Sequence, residues 1–437
     1  MNLEENHMVT LTQHGSAFSK LDWSEIDKRN KEIADEIDNR TGAGNDFLGW
    51  LDYASKLPES EVDRIIKAAK HIQKTYEALV VIGIGGSYLG SRAVIESING
   101  LYPMKQMEII FAGNTLSGNY LYQIINHLKG KRFAINVISK SGTTTECAVS
   151  FRLLKEMLIA EFGKEYIKDA VYATTDKSRG ALKAEADKEG YETFVIPDDI
   201  GGRYSVITPV GLLPIACAGI DIKEFLNGIK EGEKQYSEKD YKKNPAYYYG
   251  ATRYLLNTQK HYGTEMFVSY EPQDKMLQEW LKQLIDESEG KDDKGLLCTS
   301  ATFTTDLHSL GQFIQQGSPV IFETIIKEEE SNEDTSVPSD KENLDNLNYL
   351  AGKKLSFIND KAYLATLDAH TNGHTPANVI EISKMTPKVL GNLMYFFFRA
   401  TAFGAYLLNI NPFNQPGVEI YKSNMFKLLG KPGYEKK

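Results

Sequence analysis

Five short β-rich runs, at residues 79–84, 107–112, 133–138, 170–174 and 192–196, follow one another with a helical pattern between each pair. Strands joined by helix-length connections pair in parallel, and their crossovers are right-handed. A parallel sheet needs both faces covered. This part of the chain is therefore predicted to be a parallel sheet with helices on both faces, a layout in which ligands collect at the carboxyl ends of the strands.

Two of those strand ends carry unusual turns. The run 133–138 leads into Ser139-Lys140-Ser141-Gly142-Thr143-Thr144-Thr145-Glu146 and then into a helical pattern. Five hydroxyl side chains thus sit where a helix start exposes unpaired N–H groups and partial positive charge, a setting suited to a phosphate dianion. Helix capping alone is the bland alternative. The second turn, Gly83-Ile84-Gly85-Gly86-Ser87, has glycines that would let a ligand approach the backbone. It fails as a dinucleotide fingerprint, because Tyr88 stands in place of the last glycine and the strand 107–112 ends without an acid. The Gly-Lys-Ser/Thr ending of a P-loop is also missing. Together the turns point to a phosphorylated small molecule rather than a nucleotide.

The rest of the chain is expected to frame this sheet. Its 437 residues, 41% hydrophobic, suffice for two domains. Residues 1–75 read as amphipathic helices with one loop at 41–46, and the first sandwich as residues 76–208. Residues 209–408 read as a second α/β sandwich with shorter strands at 266–269, 320–326 and 379–382, and helices at 222–236, 245–260, 276–286, 307–315 and 386–408. Residues 409–437 form a C-terminal segment. No apolar stretch reaches a membrane span, the start has acids and no apolar run, and a cytoplasmic location is expected. Cys147, Cys217 and Cys298 show no paired spacing, so neither a disulfide framework nor a thiolate metal site is indicated. The net charge of −9 is concentrated at 328–345, where eight acids face Lys341, a local balance of −7 that reads as a solvated insertion. No basic stripe with interleaved aromatics points to nucleic acid.

Several residues outside the turns could carry chemistry. Asp198-Asp199-Ile200-Gly201-Gly202-Arg203-Tyr204-Ser205 places one arginine beside two glycines just after a strand end, where it could stabilise an oxyanion or simply pair with a nearby carboxylate. Gln283 and Glu287 lie four apart on one helical face. His308 falls within the first turn of a helical pattern, with Asp306 as its cap. His370 and His374 mimic a metal pair at i, i+4, but Asn372, Gly373 and Pro376 indicate a turn, and no metal site is expected.

Taken together, these residues resemble the glucose-6-phosphate isomerase family. Asp198-x-Ile200-Gly201-Gly202-Arg203-Tyr204-Ser205-Val206-x-Thr208-Pro209-Val210-Gly211 is similar to one family signature, and Phe413-Asn414-Gln415-x-Gly417-Val418-Glu419-x-x-Lys422 to the other. The resemblance implies two sugar-isomerase (SIS-like) α/β/α sandwiches with mainly parallel sheets, helical terminal segments, and a homodimer whose active site is shared between subunits. It implies phosphate binding by Gly86, Ser87, Ser139, Lys140, Ser141, Gly142, Thr143 and Thr144, and sugar positioning by Gly202, Gln283 and Gln415. By the same resemblance Glu287 is the base at C2, His308 and Lys422 serve ring opening, and Arg203 stabilises an enediolate. The implied reaction interconverts glucose 6-phosphate and fructose 6-phosphate with no metal and no organic cofactor. This chain carries Gly142 and Cys147 where some relatives have an aromatic residue and a threonine. The rival reading is a non-catalytic sugar-phosphate regulator of the same fold, which would need the phosphate cradle but not the base.

Overall fold

The computed structural model describes residues 8–103 and 106–434. The reading of the chain start falls largely on residues 1–7 and lies outside the described residues. The described chain opens with a strand, β1 (Val9–His14), where helix was expected. Val9 and Leu11 are buried while Thr10 and Thr12 are half-buried, the period-two alternation of a strand with one face on a core. β1 reaches across the sequence to pair antiparallel with residues 377–382. The remaining N-terminal elements are helical as read. Ser24–Asp38 buries Ile26, Ile33, Ala34 and Ile37, and Glu59–Thr75 buries Val62, Ile65, Ala68, Ala69 and Ile72, both at helical spacing.

The first sheet contains β2 (Ala78–Ile82), β3 (Glu108–Ala112), β4 (Phe133–Ile138), β5 (Val171–Thr175) and β6 (Glu192–Val195). All pairings are parallel and the order is β3-β2-β4-β5-β6. The chain winds outward in one direction from β2 and in the other from β4. The loops that follow these two strands therefore diverge, and the crevice between them is the topological switch point where such sheets hold ligands. Both hydroxyl- and glycine-rich turns flank that crevice.

The second sheet contains β7 (Thr264–Ser269), β8 (Leu297–Thr302), β9 (Ile321–Glu330) and β10 (Ala377–Lys384), with β1 at its edge, in the order β1-β10-β9-β7-β8. Only β1 runs antiparallel. β7 lies between β8 and β9 as β2 lies between β3 and β4, so the two sheets repeat one winding scheme. Two elements here were not anticipated. β8 reads Leu-Cys-Thr-Ser-Ala-Thr, with little apolar signal, and takes its place by pairing with β7 along its whole length. The helix Leu355–Asn372 buries only Tyr363, Leu367 and His370. The helix expected at 307–315 is divided into a 3-10 turn, Thr305–His308, and a short helix, Gly311–Gln316.

A helix of 21 residues, Pro387–Leu407, runs through the interior with every residue from Val389 to Leu407 buried. It packs against Ile222–Gln235, Pro245–Lys260 and Lys275–Glu289. Its Phe398 meets Trp50 and Tyr204, with ring centroids 5.6 and 4.8 Å away, and Phe413 closes the group 5.5 Å from Tyr204. This aromatic knot fixes the loop beside Arg203 and the segment before Gln415 onto one rigid helix.

Candidate active site

The first turn, Gly85–Ser87, is a single 3-10 turn between β2 and the helix Leu89–Asn99. A side chain on Gly86 would lie 1.9 Å from the Gly202 carbonyl oxygen and 2.7 Å from the Arg203 nitrogen. Glycine is required there because the turn rests backbone to backbone on the arginine loop. Gln283 also approaches, since a side chain on Gly85 would lie 2.8 Å from its Nε2. At the second turn the Ser139 hydroxyl accepts from Gly142 N at 3.0 Å, and the Ser141 hydroxyl accepts from the Thr143 amide and hydroxyl at 3.1 and 3.0 Å. Gly142 has a φ of +73° and packs on Leu182. Thr144 occupies the N-cap of Thr145–Phe162, yet its side chain makes no cap hydrogen bond. Capping therefore does not account for this hydroxyl. Lys140, at the turn's edge, pairs with Asp198 at 2.7 Å.

Arg203 is the hub of the site. Its side chain is 2% exposed and five hydrogen bonds surround it. Nε donates to the Ser288 hydroxyl at 2.8 Å. Nη1 donates to Glu287 Oε2 at 3.3 Å and to Gln415 Oε1 at 3.4 Å, while Nη2 donates to the carbonyls of Pro412 at 2.5 Å and Asn414 at 3.3 Å. Of the two readings offered for this arginine, the structure shows the pairing with a nearby carboxylate. Gln283 donates to the same Glu287 oxygen at 3.3 Å, while its own Oε1 is buried without a donor among the described residues. A buried amide oxygen in that state is an acceptor waiting for a ligand hydroxyl or water. The Glu287 side chain is 26% exposed into a cleft of about 570 Å³ lined also by Lys282, Asp286, Lys291, Gln415 and Pro416.

Lys422 stands on the helix Val418–Leu428 and pairs with Glu419 at 2.8 Å. That bond holds its ammonium above the usual lysine range, with a smaller contribution from the charge of Glu287. His308 is different. It is exposed at the end of its 3-10 turn and makes none of the hydrogen bonds of the Arg203 group. His370 is a buried partner of Glu323 at 2.9 Å in the last turn of a helix, and His374 lies beyond that helix.

The sequence model of the family described as phosphoglucose isomerase matches residues 63–433. The chain belongs to the phosphoglucose isomerase family. A curated relative from Lactobacillus helveticus, named glucose-6-phosphate isomerase, is 54% identical over 92% of this chain and 90% of its own length. One of the same name from Staphylococcus epidermidis is 50% identical over 97% of each chain. The fold is that of the crystal structure of a glucose-6-phosphate isomerase from Chlamydia trachomatis, with a TM-score of 0.82 at 19% identity over 97% of this chain and 88% of that one.

In this phosphoglucose isomerase family member, the sequence-predicted residues divide into three groups. Arg203, Gln283, Glu287 and Gln415 share one hydrogen-bonded cluster, and the first turn borders it through Gly85 and Gly86. Lys422 is near enough to feel Glu287 without touching it. His308 stands apart within the chain. Four contributors escaped sequence reading: Ser288, the carbonyls of Pro412 and Asn414, and Lys291. The carbonyls have no side-chain signature, but Ser288 and Lys291 sit one and four residues from Glu287 and could have been sought there.

Proposed function

We propose that this chain catalyses the reversible isomerisation of glucose 6-phosphate to fructose 6-phosphate by ring opening and enediolate proton transfer. The observation that carries the reading is the buried Arg203 guanidinium holding Glu287 and Gln415 at the mouth of a cleft beside the Gly85–Ser87 turn. In the open sugar, Glu287 takes the C2 proton and returns it at C1, acting in both directions near neutral pH. The intermediate gains an oxyanion, and Arg203 offers it a fixed, preorganised cation in a water-poor site. Gln283, with its free carbonyl oxygen, and Gln415 orient sugar hydroxyls. Gly202 shapes the floor. Phosphate rests on the hydroxyls of Ser87, Ser139, Ser141 and Thr144 and on the amides of Gly86, Lys140, Gly142 and Thr143. Lys422 protonates the ring oxygen and His308 removes the hydroxyl proton during ring opening. A regulator that only sensed sugar phosphate would need the turns but not Glu287 on its arginine.

A homodimer in the cytoplasm is part of the same proposal. The helix Val418–Leu428 buries none of its residues in its own chain, and Ile420 and Leu428 are 68% and 88% exposed. Exposed apolar residues at that density suit cover by a second copy, which would also supply His308 to the partner's cleft. The test is a coupled assay: glucose 6-phosphate in heavy water should yield fructose 6-phosphate with solvent deuterium at C1. Turnover without any label, or no turnover, would overturn the reading.

A further inference from the structure

The Arg203 guanidinium bridges two segments: the end of the helix Lys275–Glu289, through Glu287 and Ser288, and the irregular stretch 412–415, through two carbonyls and Gln415. A second cation bridges the same two segments. Lys291 Nζ donates to the Ser288 carbonyl at 2.9 Å and to the Asn411 carbonyl at 2.6 Å. Its third N–H has no acceptor among the described residues, and its side chain lines the cleft with Glu287 and Gln415. Between Asn411 and Asn414 the Phe413 ring is anchored in the aromatic group, but the main chain's own hydrogen bonding is confined to Asn411 Oδ1, which accepts from Phe413 N at 2.8 Å. Any drift at Asn411 would pass directly to the Pro412 and Asn414 carbonyls that aim Nη2 of Arg203.

We propose that Lys291 is a positioning residue for the isomerase reaction: its ammonium clips the 411–415 segment to the Glu287 helix, so that Arg203, Glu287 and Gln415 keep the geometry the enediolate requires. The proposal rests on the isomerase reading of the same site. The clip uses main-chain carbonyls on both sides, so it depends on neither partner's side chain. Charged groups around the ammonium are mixed. Arg203 opposes its charge while Glu287, Glu289 and Asp292 support it, and Lys282 and Asp286 line the same cleft. Burial, with Arg203's charge next, pushes its pKa down to about 8.

Because phosphate is held by a different loop, loosening this clip should slow the chemistry and spare the ground-state grip. The wild-type enzyme is assayed first with fructose 6-phosphate; absence of turnover there would sink the isomerase reading itself, a failure separate from any effect of the Lys291 variants. Lys291→Met keeps length and removes every donor. It is expected to lower kcat by about 10- to 100-fold, the scale of an ångström-sized misplacement, with KM and the inhibition constant of a hexitol 6-phosphate within about threefold. Lys291→Arg, which can still donate to both carbonyls, should recover at least a tenth of the wild-type kcat and exceed Lys291→Met. Should Lys291→Met prove insoluble, Lys291→Leu, equally donor-free, and Lys291→Arg read the same split. A donor-free variant with kcat within twofold of wild type would overturn the proposal. So would a loss shared equally by kcat, KM and inhibitor affinity in all variants, since that marks general disruption of the fold.

Discussion

Replacing Arg203 by lysine keeps a positive charge and removes the planar fork, and the structure sets what that should cost. The guanidinium serves Ser288 on one side and the Pro412 and Asn414 carbonyls on the other, with Glu287 and Gln415 between. One ammonium has three donors at a single point and cannot span that arrangement. At least two acceptors around a side chain only 2% exposed are then left unpaired. At about 1 to 3 kcal/mol for each, the folded state should lose roughly 2 to 6 kcal/mol. The larger effect is on rate. A cation moved from its aim at the developing oxyanion should cost about as much as deleting an oxyanion-hole donor, on the order of 100- to 1,000-fold in kcat. The assay is initial velocity with fructose 6-phosphate, coupled to a dehydrogenase that consumes glucose 6-phosphate, alongside a thermal melt. KM should move by less than about fivefold, because the phosphate turns are untouched. A folded Arg203→Lys enzyme with kcat within fivefold of wild type would refute the reasoning, since charge alone would then suffice.

Four further outcomes are expected. Glu287→Gln should abolish turnover while a hexitol 6-phosphate still binds; a tenth of wild-type activity would remove Glu287 as the base. Thr144→Val should weaken phosphate-bearing inhibitors by about 1 to 3 kcal/mol, measured by calorimetry, and unchanged affinity would move the phosphate elsewhere. Glu287→Gln and His308→Ala chains, each nearly inactive, should regain activity when unfolded together and refolded, with roughly a quarter of sites intact if His308 serves the partner subunit. Verified mixed dimers no more active than their parents would put His308 back in its own chain. The last concerns pH: Asp274 and Glu328 are buried neighbours, and burial, reinforced by the charge of nearby carboxylates, raises their pKa values to about 6 and about 8. The native state then holds protons that the unfolded chain has released, so this pair's stabilisation is full below about pH 4 and is lost as pH rises through 8. Glu328→Gln should raise Tm at pH 8.5 and not at pH 5; equal shifts at both would show that the pair does not titrate there.

The first sheet was legible because its signals are local. Phe133–Ile138 was bounded as read, since an apolar run interrupted only by Asn136 ends at a hydroxyl turn. β1 carries the same kind of pattern in miniature, but Val9 and Leu11 alternate for only a few residues and their partner strand lies some 370 residues away. No local signal shows such a pairing. β8 failed for the opposite reason: Cys298, Thr299, Ser300 and Thr302 are small or polar, and backbone pairing with β7 makes them a strand. The candidate site shows the same division. Gly86, Ser139, Gln283 and Glu287 can be singled out by type and spacing, while their roles come from the family resemblance. Arg203 was visible as a cation in a loop, but its hub role depends on the carbonyls of Pro412 and Asn414, and main-chain acceptors are identical at every residue.

The two sheets share a winding scheme, yet their crevices have opposite chemical tempers. Where the first offers glycine and hydroxyl turns between β2 and β4, the second presents Glu271 and Asp274 after β7 and Glu328 at the end of β9. Carboxyl groups crowded enough to hold each other's protons leave no welcome for a dianion. One scaffold occurs twice in the chain, but sugar phosphate should saturate at a single equivalent per polypeptide.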